Sequence, residues 1–309
     1  MFNTPILFLI FNRPDTTKQV FESIKSIKPK RLYIAADGPR PNKINETELC
    51  KQTRNIISNI DWDCDVKTLY RETNLGCKIA VSSAIDWFFE NEEQGIILED
   101  DCLPNITFYN FCEVLLEKYK HHPEIMHIGG INLQKGIQRG SGSFYFSNYN
   151  HIWGWATWKR AWINYDVDIK TCNENECKEM LQGLFSSKKE RVFWENLFSG
   201  FINKKIDTWD YQWTYSIWQN NGISIIPNKN LVSNIGFNTD GTHTTGPDIL
   251  GFSENKVESI STIHFPDQIS IDKNADTFTY KNFINPTLFI YLCKKVIYKF
   301  RNYKQKWTK

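Results

Sequence analysis

The 309-residue chain contains neither Gly-x-Gly-x-x-Gly nor Gly-x4-Gly-Lys-Ser/Thr, so the common dinucleotide and NTPase phosphate cradles are absent and any nucleotide is held another way. Long apolar runs are missing as well. The longest early one, Ile6 to Phe11, is six residues and meets Asn12, Arg13 and Pro14 at once, too short for a signal-peptide core or a membrane span. Neither sign of charge is in excess: 37 basic residues face 35 acidic ones, a balance of +2. Without a cationic block outside the C-terminal end, this excludes a nucleic-acid binder, which needs clustered Lys and Arg. The eight cysteines, at 50, 64, 77, 102, 112, 172, 177 and 293, include no Cys-x-x-Cys pair and no His at zinc-like spacing. Reduced, mostly structural thiols in a cytosolic protein follow, with a Cys172–Cys177 bridge left open. No internal repeat and no Pro/Ser linker interrupt the chain, so one domain with a variable second half is expected.

Aromatic residues, by contrast, make up 15% of the chain, with 11 Trp, 13 Tyr and 21 Phe. That is ample apolar surface to offset chain entropy, which excludes disorder. Residues 4–11, 31–36, 65–70 and 94–98 read as short strands, and 16–27, 46–59 and 79–90 as helices. The helical reading of 16–27 rests on apolar residues at 20, 21, 24 and 27. Strict alternation of strand and helix predicts an α/β fold with a mostly parallel sheet covered on both faces. Ligands of such sheets sit at the carboxyl ends of the strands. There the sequence delivers Asn12 and Arg13, then Asp37, then Arg71 and Asn74, then Glu99, Asp100 and Asp101. After Pro123 the pattern changes to Gly-, Asn-, Ser- and aromatic-rich strands and loops over 125–165, helix over 174–203, and a polar loop near 236–246.

Residues 285–309 form a basic amphipathic tail: Lys294, Lys295, Lys299, Arg301, Lys304, Lys306 and Lys309 alternate with apolar residues, without an acid. Two readings stand. A helix could lie on an anionic bilayer, each basic residue adding roughly 1 kcal/mol, or a terminal helix could dock on the domain with its charges solvated.

Three consecutive carboxylates at the end of an apolar strand, Glu99-Asp100-Asp101, crowd negative charge and call for a cation. Oxygen-only ligation suits Mg²⁺ or Mn²⁺, which take one or two protein carboxylates and fill other positions with phosphate and water. The plainer role for Asp101 is to cap the helix that Pro104 begins. Asp210 stands between Trp209 and Tyr211, where partial desolvation lifts a carboxylate toward the operating pH of a general base; a place in the first turn of a helix capped by Asp207 is compatible with that role. The Trp153, Trp155, Trp158 and Trp162 cluster either offers flat apolar faces to a ligand, with one or two rings expected to touch it, or packs inward. His243 lies in the polar loop 238–246, as a metal ligand or as plain surface.

Asn74-Leu-Gly-Cys-Lys78, the helix carrying Ala80, Ala84 and Trp87, the acidic triplet, and Pro104 with Phe108 to Tyr119 together resemble one family. Asp37-Gly38, His151-Ile-Trp-Gly-Trp-Ala-Thr-Trp158 and Trp209-Asp-Tyr-Gln-Trp213 extend the likeness over most of residues 1–245. The chain looks similar to GT-A glycosyltransferases, in particular those resembling N-acetylglucosaminyltransferase I and its bacterial relatives. The resemblance implies a GT-A domain over 1–284, with a nucleotide-binding half (1–122) and an acceptor half (123–284). By the same carry-over Glu99-Asp100-Asp101 is a form of the Asp-x-Asp motif. Asp101 would bind the metal, with Glu99 and Asp100 assisting and His243 completing its shell. Asp210 would be the catalytic base. Asn12, Arg13, Asp37, Arg71, Asn74 and Lys78 would contact the donor nucleotide and its diphosphate, and Trp153, Gly154, Trp155 and Trp209 the sugars.

The implied activity is metal-dependent, inverting transfer of a hexosyl or N-acetylhexosaminyl group from a nucleoside-diphosphate sugar, a UDP-sugar by preference, to a glycan hydroxyl. Synthesis of a surface polysaccharide in the cytoplasm, at the inner face of the membrane, is the expected setting. The competing expectations are a non-catalytic carbohydrate-binding protein that uses its Trp clusters, and a nucleotidyltransferase. The latter should carry a Gly-rich loop after the first strand, where Phe11-Asn-Arg-Pro14 has no glycine.

Overall fold

The computed structural model describes residues 2–169, 173–202, 208–237, 248, 250–252, 255–288, 290–292 and 295. The chain alternates β1 (Ile6–Ile10), α1 (Pro14–Ile27), β2 (Arg31–Ala36), α2 (Glu46–Ile56), β3 (Asp65–Tyr70), α3 (Gly76–Asn91) and β4 (Gln94–Glu99). It continues with β5 (Cys102–Pro104), α4 (Ile106–Lys118), β6 (Ile125–Gly129), β7 (Phe144–Ser147), β8 (Trp155–Trp158), α5 (Lys159–Trp162), α6 (Glu174–Leu184) and α7 (Lys188–Ile202). The remaining elements are α8 (Asp210–Gln219), β9 (Ile223–Pro227), β10 (Val232–Asn234) and α9 (Lys273–Thr279).

One eight-stranded sheet runs β3-β2-β1-β4-β8-β6-β9-β7. β3, β2, β1 and β4 pair in parallel, as do β6 and β9, while β8 and β7 run against their neighbours. The sheet is therefore mostly parallel, as the alternation of elements predicts. It also continues through the second half of the chain, because β8 lies against β4 with Ile97 opposite Trp155.

Alternating side chains along β1 feed two cores, since successive residues of a strand point to opposite faces. Ile6, Phe8 and Ile10 pack with Val20, Phe21 and Ile24 of α1 and with Phe108, Phe111 and Leu115 of α4. Leu7 and Leu9 join Ala84, Ile85 and Phe88 of α3, Trp155 of β8, and Trp209 and Trp213 beside and within α8. Helices thus cover both faces, and β1 is a continuous apolar run, as expected of a doubly covered parallel strand. The helical stretch expected over 174–203 is divided between α6 and α7. Helix α3 starts a turn earlier than its apolar spacing suggests, because Asp37 at the end of β2 accepts hydrogen bonds from the backbone N–H groups of Leu75 (3.0 Å) and Gly76 (3.2 Å). A short antiparallel pair, β5 with β10, sets Asn234 opposite Cys102 and brings the chain after β10 over the acidic triplet.

Most of the basic tail, like Cys172 and therefore its pairing with Cys177, lies outside the described residues. Cys50, Cys102 and Cys112 are buried thiols. Among the described residues no helix is long and apolar enough to cross a membrane.

Candidate functional site

The carboxyl ends of β1, β2 and β4 open into a cavity of about 490 Å³. Its walls include Arg13, Asp37, Arg71, Asn74, Glu99, Asp100, Asp101, Trp153, Trp209 and Asp210, ten of the residues singled out from sequence. Residues separated by some two hundred positions in the chain therefore share one space.

Chemically, the cavity has an acidic floor with a cation set into it. The Asp100 carboxylate accepts the Phe11 backbone N–H at 3.1 Å and a guanidinium N–H of Arg13. The other arm of Arg13 donates to Asp101 Oδ2 at 2.8 Å. Burial and the negative charge of Asp101 push Glu99 up to about 8, with Arg13 opposing the shift and the Asp210 charge adding to it. Asp100 is also raised, by burial first and then by Asp101, again against the pull of Arg13. For Arg13 burial works against the charge, but its two carboxylate partners more than offset that and hold it firmly protonated. Asp210 lies within electrostatic reach of Glu99, across the cavity from the strand that carries the triplet.

The placement of Asp210 follows from how α8 is held. Trp213 Nε1 donates to His127 Nδ1 at 3.2 Å, Thr214 Oγ1 to Asn150 Oδ1 at 2.7 Å, and Trp218 Nε1 to the Asn148 carbonyl at 2.6 Å. Because His127 Nδ1 accepts, its Nε2 carries the proton and donates to the His151 carbonyl at 3.0 Å. Burial drives that imidazole down to about 3, which keeps it neutral. At the start of α8, Tyr165 donates its hydroxyl to the Trp209 carbonyl at 3.0 Å, and the Thr208 hydroxyl donates to the Asp210 carboxylate. The N-terminal end of α8 is thus aimed into the cavity by a network that sequence reading did not single out. Its signal, a histidine inside an apolar strand, is indistinguishable from a core histidine without coordinates.

Several of the other residues singled out have structural partners. Asp37 is spent on α3: besides Leu75 and Gly76 it accepts Asn74 Nδ2 at 2.9 Å and the Gly38 N–H at 2.9 Å. Asn12 does not line the cavity. It donates to Glu46 at 2.9 Å, and Glu46 in turn holds Arg40, whose guanidinium lies 5.6 Å over the Phe11 ring. Arg40 and Phe11 are cavity residues the sequence reading passed over. Arg71 donates to the Ala80 carbonyl and Ser83 and is lowered by burial. Lys78 turns away to Asp168 at 2.9 Å. Trp155 is fully buried and stacked on His127 and Trp209, so it packs and does not face the cavity. Gly154 is a backbone requirement: its φ of +63° is left-handed, and a Cβ would stand 2.8 Å from Val232 Cγ2. His243 lies outside the described residues.

Among the described residues no three His, Cys, Asp or Glu side chains form a metal-binding group. The acidic floor fits a divalent ion of the kind that needs only one or two protein carboxylates and draws its other ligands from phosphate and water. Asp101 and Glu99 both reach the cavity.

No family model matches the chain, and no curated protein matches it. Solved structures do, with limited overlap. Residues 1–349 of TarS from S. aureus are 8% identical over 75% of this chain and 61% of that one, with a TM-score of 0.37. Apo UDP-glucose pyrophosphorylase is 9% identical over 74% and 93%, with a TM-score of 0.35. HddC from Yersinia pseudotuberculosis is 11% identical over 52% and 78%, with a TM-score of 0.31.

Proposed function

We propose that the chain is a glycosyltransferase that moves a sugar from a nucleoside diphosphate to a hydroxyl of a glycan acceptor. The observation that carries this reading is the meeting, in one cavity, of the carboxylates at and just after the end of β4, Asp210 from α8, and Arg13, Arg40 and Arg71. Guanidinium groups suit a diphosphate because their donors match its oxygens in pairs. Asp210 is the general base: it takes the proton of the acceptor hydroxyl as that oxygen attacks the anomeric carbon from the face opposite the departing diphosphate, which inverts the configuration. Trp209 and Trp153 bound the space around it and limit water, the indole of Trp153 offering a face for a sugar ring. Mg²⁺ or Mn²⁺ held by Asp101 with Glu99 would supply positive charge to the leaving diphosphate. A UDP-sugar donor and a lipid-linked polysaccharide precursor at the inner face of the membrane complete the proposal.

The alternative of a non-catalytic lectin working through its Trp clusters has less support. Trp155, Trp158, Trp162, Trp209, Trp213 and Trp218 are each no more than 3% exposed. The test is thermal unfolding with a panel of nucleotide sugars, with and without Mn²⁺, since a ligand bound only by the folded state raises the midpoint by mass action. A rise with a nucleotide sugar that grows with Mn²⁺ is expected; midpoints that respond to free saccharide alone would favour the lectin.

A further inference from the structure

We infer that Arg13 is the site's resident counter-cation, which must release Asp101 before a divalent ion can share that carboxylate, so that the ion and the donor diphosphate enter together. The inference rests on the donor-and-cation reading above. Arg13 precedes α1, and its carbonyl accepts the Thr17 N–H at 3.0 Å, which fixes the backbone while the side chain reaches to β4. Its fork is split between Asp100 and Asp101, and the side chain is only 15% exposed. The two carboxylates are not equivalent. Asp100 has both oxygens engaged, one by Arg13 and one by the Phe11 N–H. Among the described residues, Asp101 has Arg13 on Oδ2 and the Cys102 thiol, at 3.5 Å, on Oδ1. Arg13 can therefore yield Asp101 while Asp100 keeps a partner.

The Oδ2 side of the pair is crowded by backbone. Gly236 presses on it from the chain after β10: a Cβ there would collide with Asp101 Oδ2 and stand 3.0 Å from Arg13 Nη1. A Mg²⁺ or Mn²⁺ at about 2 Å from Asp101 Oδ2 would face a guanidinium nitrogen 2.8 Å from the same oxygen. Two cations on one oxygen repel each other strongly at that separation. The diphosphate resolves the conflict, because it offers the released guanidinium paired oxygens of its own.

The experiment measures Mn²⁺ affinity from the electron paramagnetic resonance signal of the free ion, with and without UDP, for wild type, Arg13→Gln and Arg13→Lys. Arg13→Gln is expected to bind Mn²⁺ alone at least tenfold more tightly than wild type and to lose most of the enhancement that UDP gives. Arg13→Lys keeps the charge but not the fork, so it should bind Mn²⁺ alone about as weakly as wild type and show a smaller enhancement with UDP. Arg13→Gln binding Mn²⁺ alone no better than wild type, while wild type binds it with UDP, overturns the inference and leaves the functional reading standing. Failure of every form to bind Mn²⁺ even with UDP overturns both. Should circular dichroism show Arg13→Gln unfolded, the wild-type arms decide: Mn²⁺ held as tightly without UDP as with it overturns the inference.

Discussion

Asp210 carries two roles at once, first-turn residue of α8 and wall of the cavity. An acid near a helix N-terminus is stabilised in its charged form, and the Thr208 hydroxyl supports the same state. Neither feature prevents a carboxylate from accepting a proton from a substrate hydroxyl, provided the rest of its environment is partly dry. Asp210→Asn keeps the shape and the helix start but cannot take a proton. Turnover should fall by about 10²–10⁴-fold while the donor-induced thermal shift persists. Near-normal turnover would remove Asp210 from the chemistry. His127 offers a different single-residue test, through pH. Its folded-state value is lowered to about 3 from 6.5, so between those values the unfolded chain binds the proton and the folded one does not. The contribution is complete above pH 6.5 and is lost as pH falls, by up to about 1.4 kcal/mol per pH unit. Other buried groups overlap this window: His151 is lowered to about 4, and Asp276 is raised to about 7 with the opposite sign. The readout is therefore the difference between wild type and His127→Gln in urea unfolding. It should shrink or reverse from pH 7 to pH 4; a constant difference would mean that His127 titrates normally.

At the level of elements, α3 shows what sequence conveys and what it withholds. The strand at 31–36 and the stop at Asp37-Gly38-Pro39 are legible because an apolar β run ends in residues that favour turns. That Asp37 then clamps the first turn of α3 is not legible, since a carboxylate at a strand end looks the same whether it meets a ligand or a helix N-terminus. Only the register of β2 beside β1 and the position of α3 decide it. The same holds for the acidic triplet: its place in the fold follows from pattern, whereas the split fork of Arg13 does not. Among the tryptophans, pattern gave the cluster and burial distinguishes Trp153 from the rest. Asp37→Ala leaves the amides of Leu75 and Gly76 without their acceptor and should destabilise the fold by about 2 kcal/mol. Hydrogen exchange should quicken first at the start of α3. Unchanged protection there would mean that water replaces the carboxylate at little cost.

Across the whole molecule, the two halves of the chain are joined by one sheet and one aromatic core. β8, from the second half, covers the edge of β4 through Ile96 opposite Ala156 and Ile97 opposite Trp155. On the face of α3, Trp155, Trp162 and Trp213 close a core to which β1 contributes Leu7 and Leu9. Residues 1–122 alone would expose both the β4 edge and that apolar face, an arrangement that invites aggregation. The halves should therefore unfold together. Trp155→Ala tests this at the seam, because the indole touches His127 of β6, Trp162 of α5 and the Trp209–Trp213 pair. Its loss should cost about 3–5 kcal/mol and lower one shared calorimetric transition, with β2 and β9 amides losing hydrogen-exchange protection together. If β9 melted first while β2 kept wild-type protection, the sheet would be continuous in geometry but divided in energy, and the site between the halves would open without global unfolding.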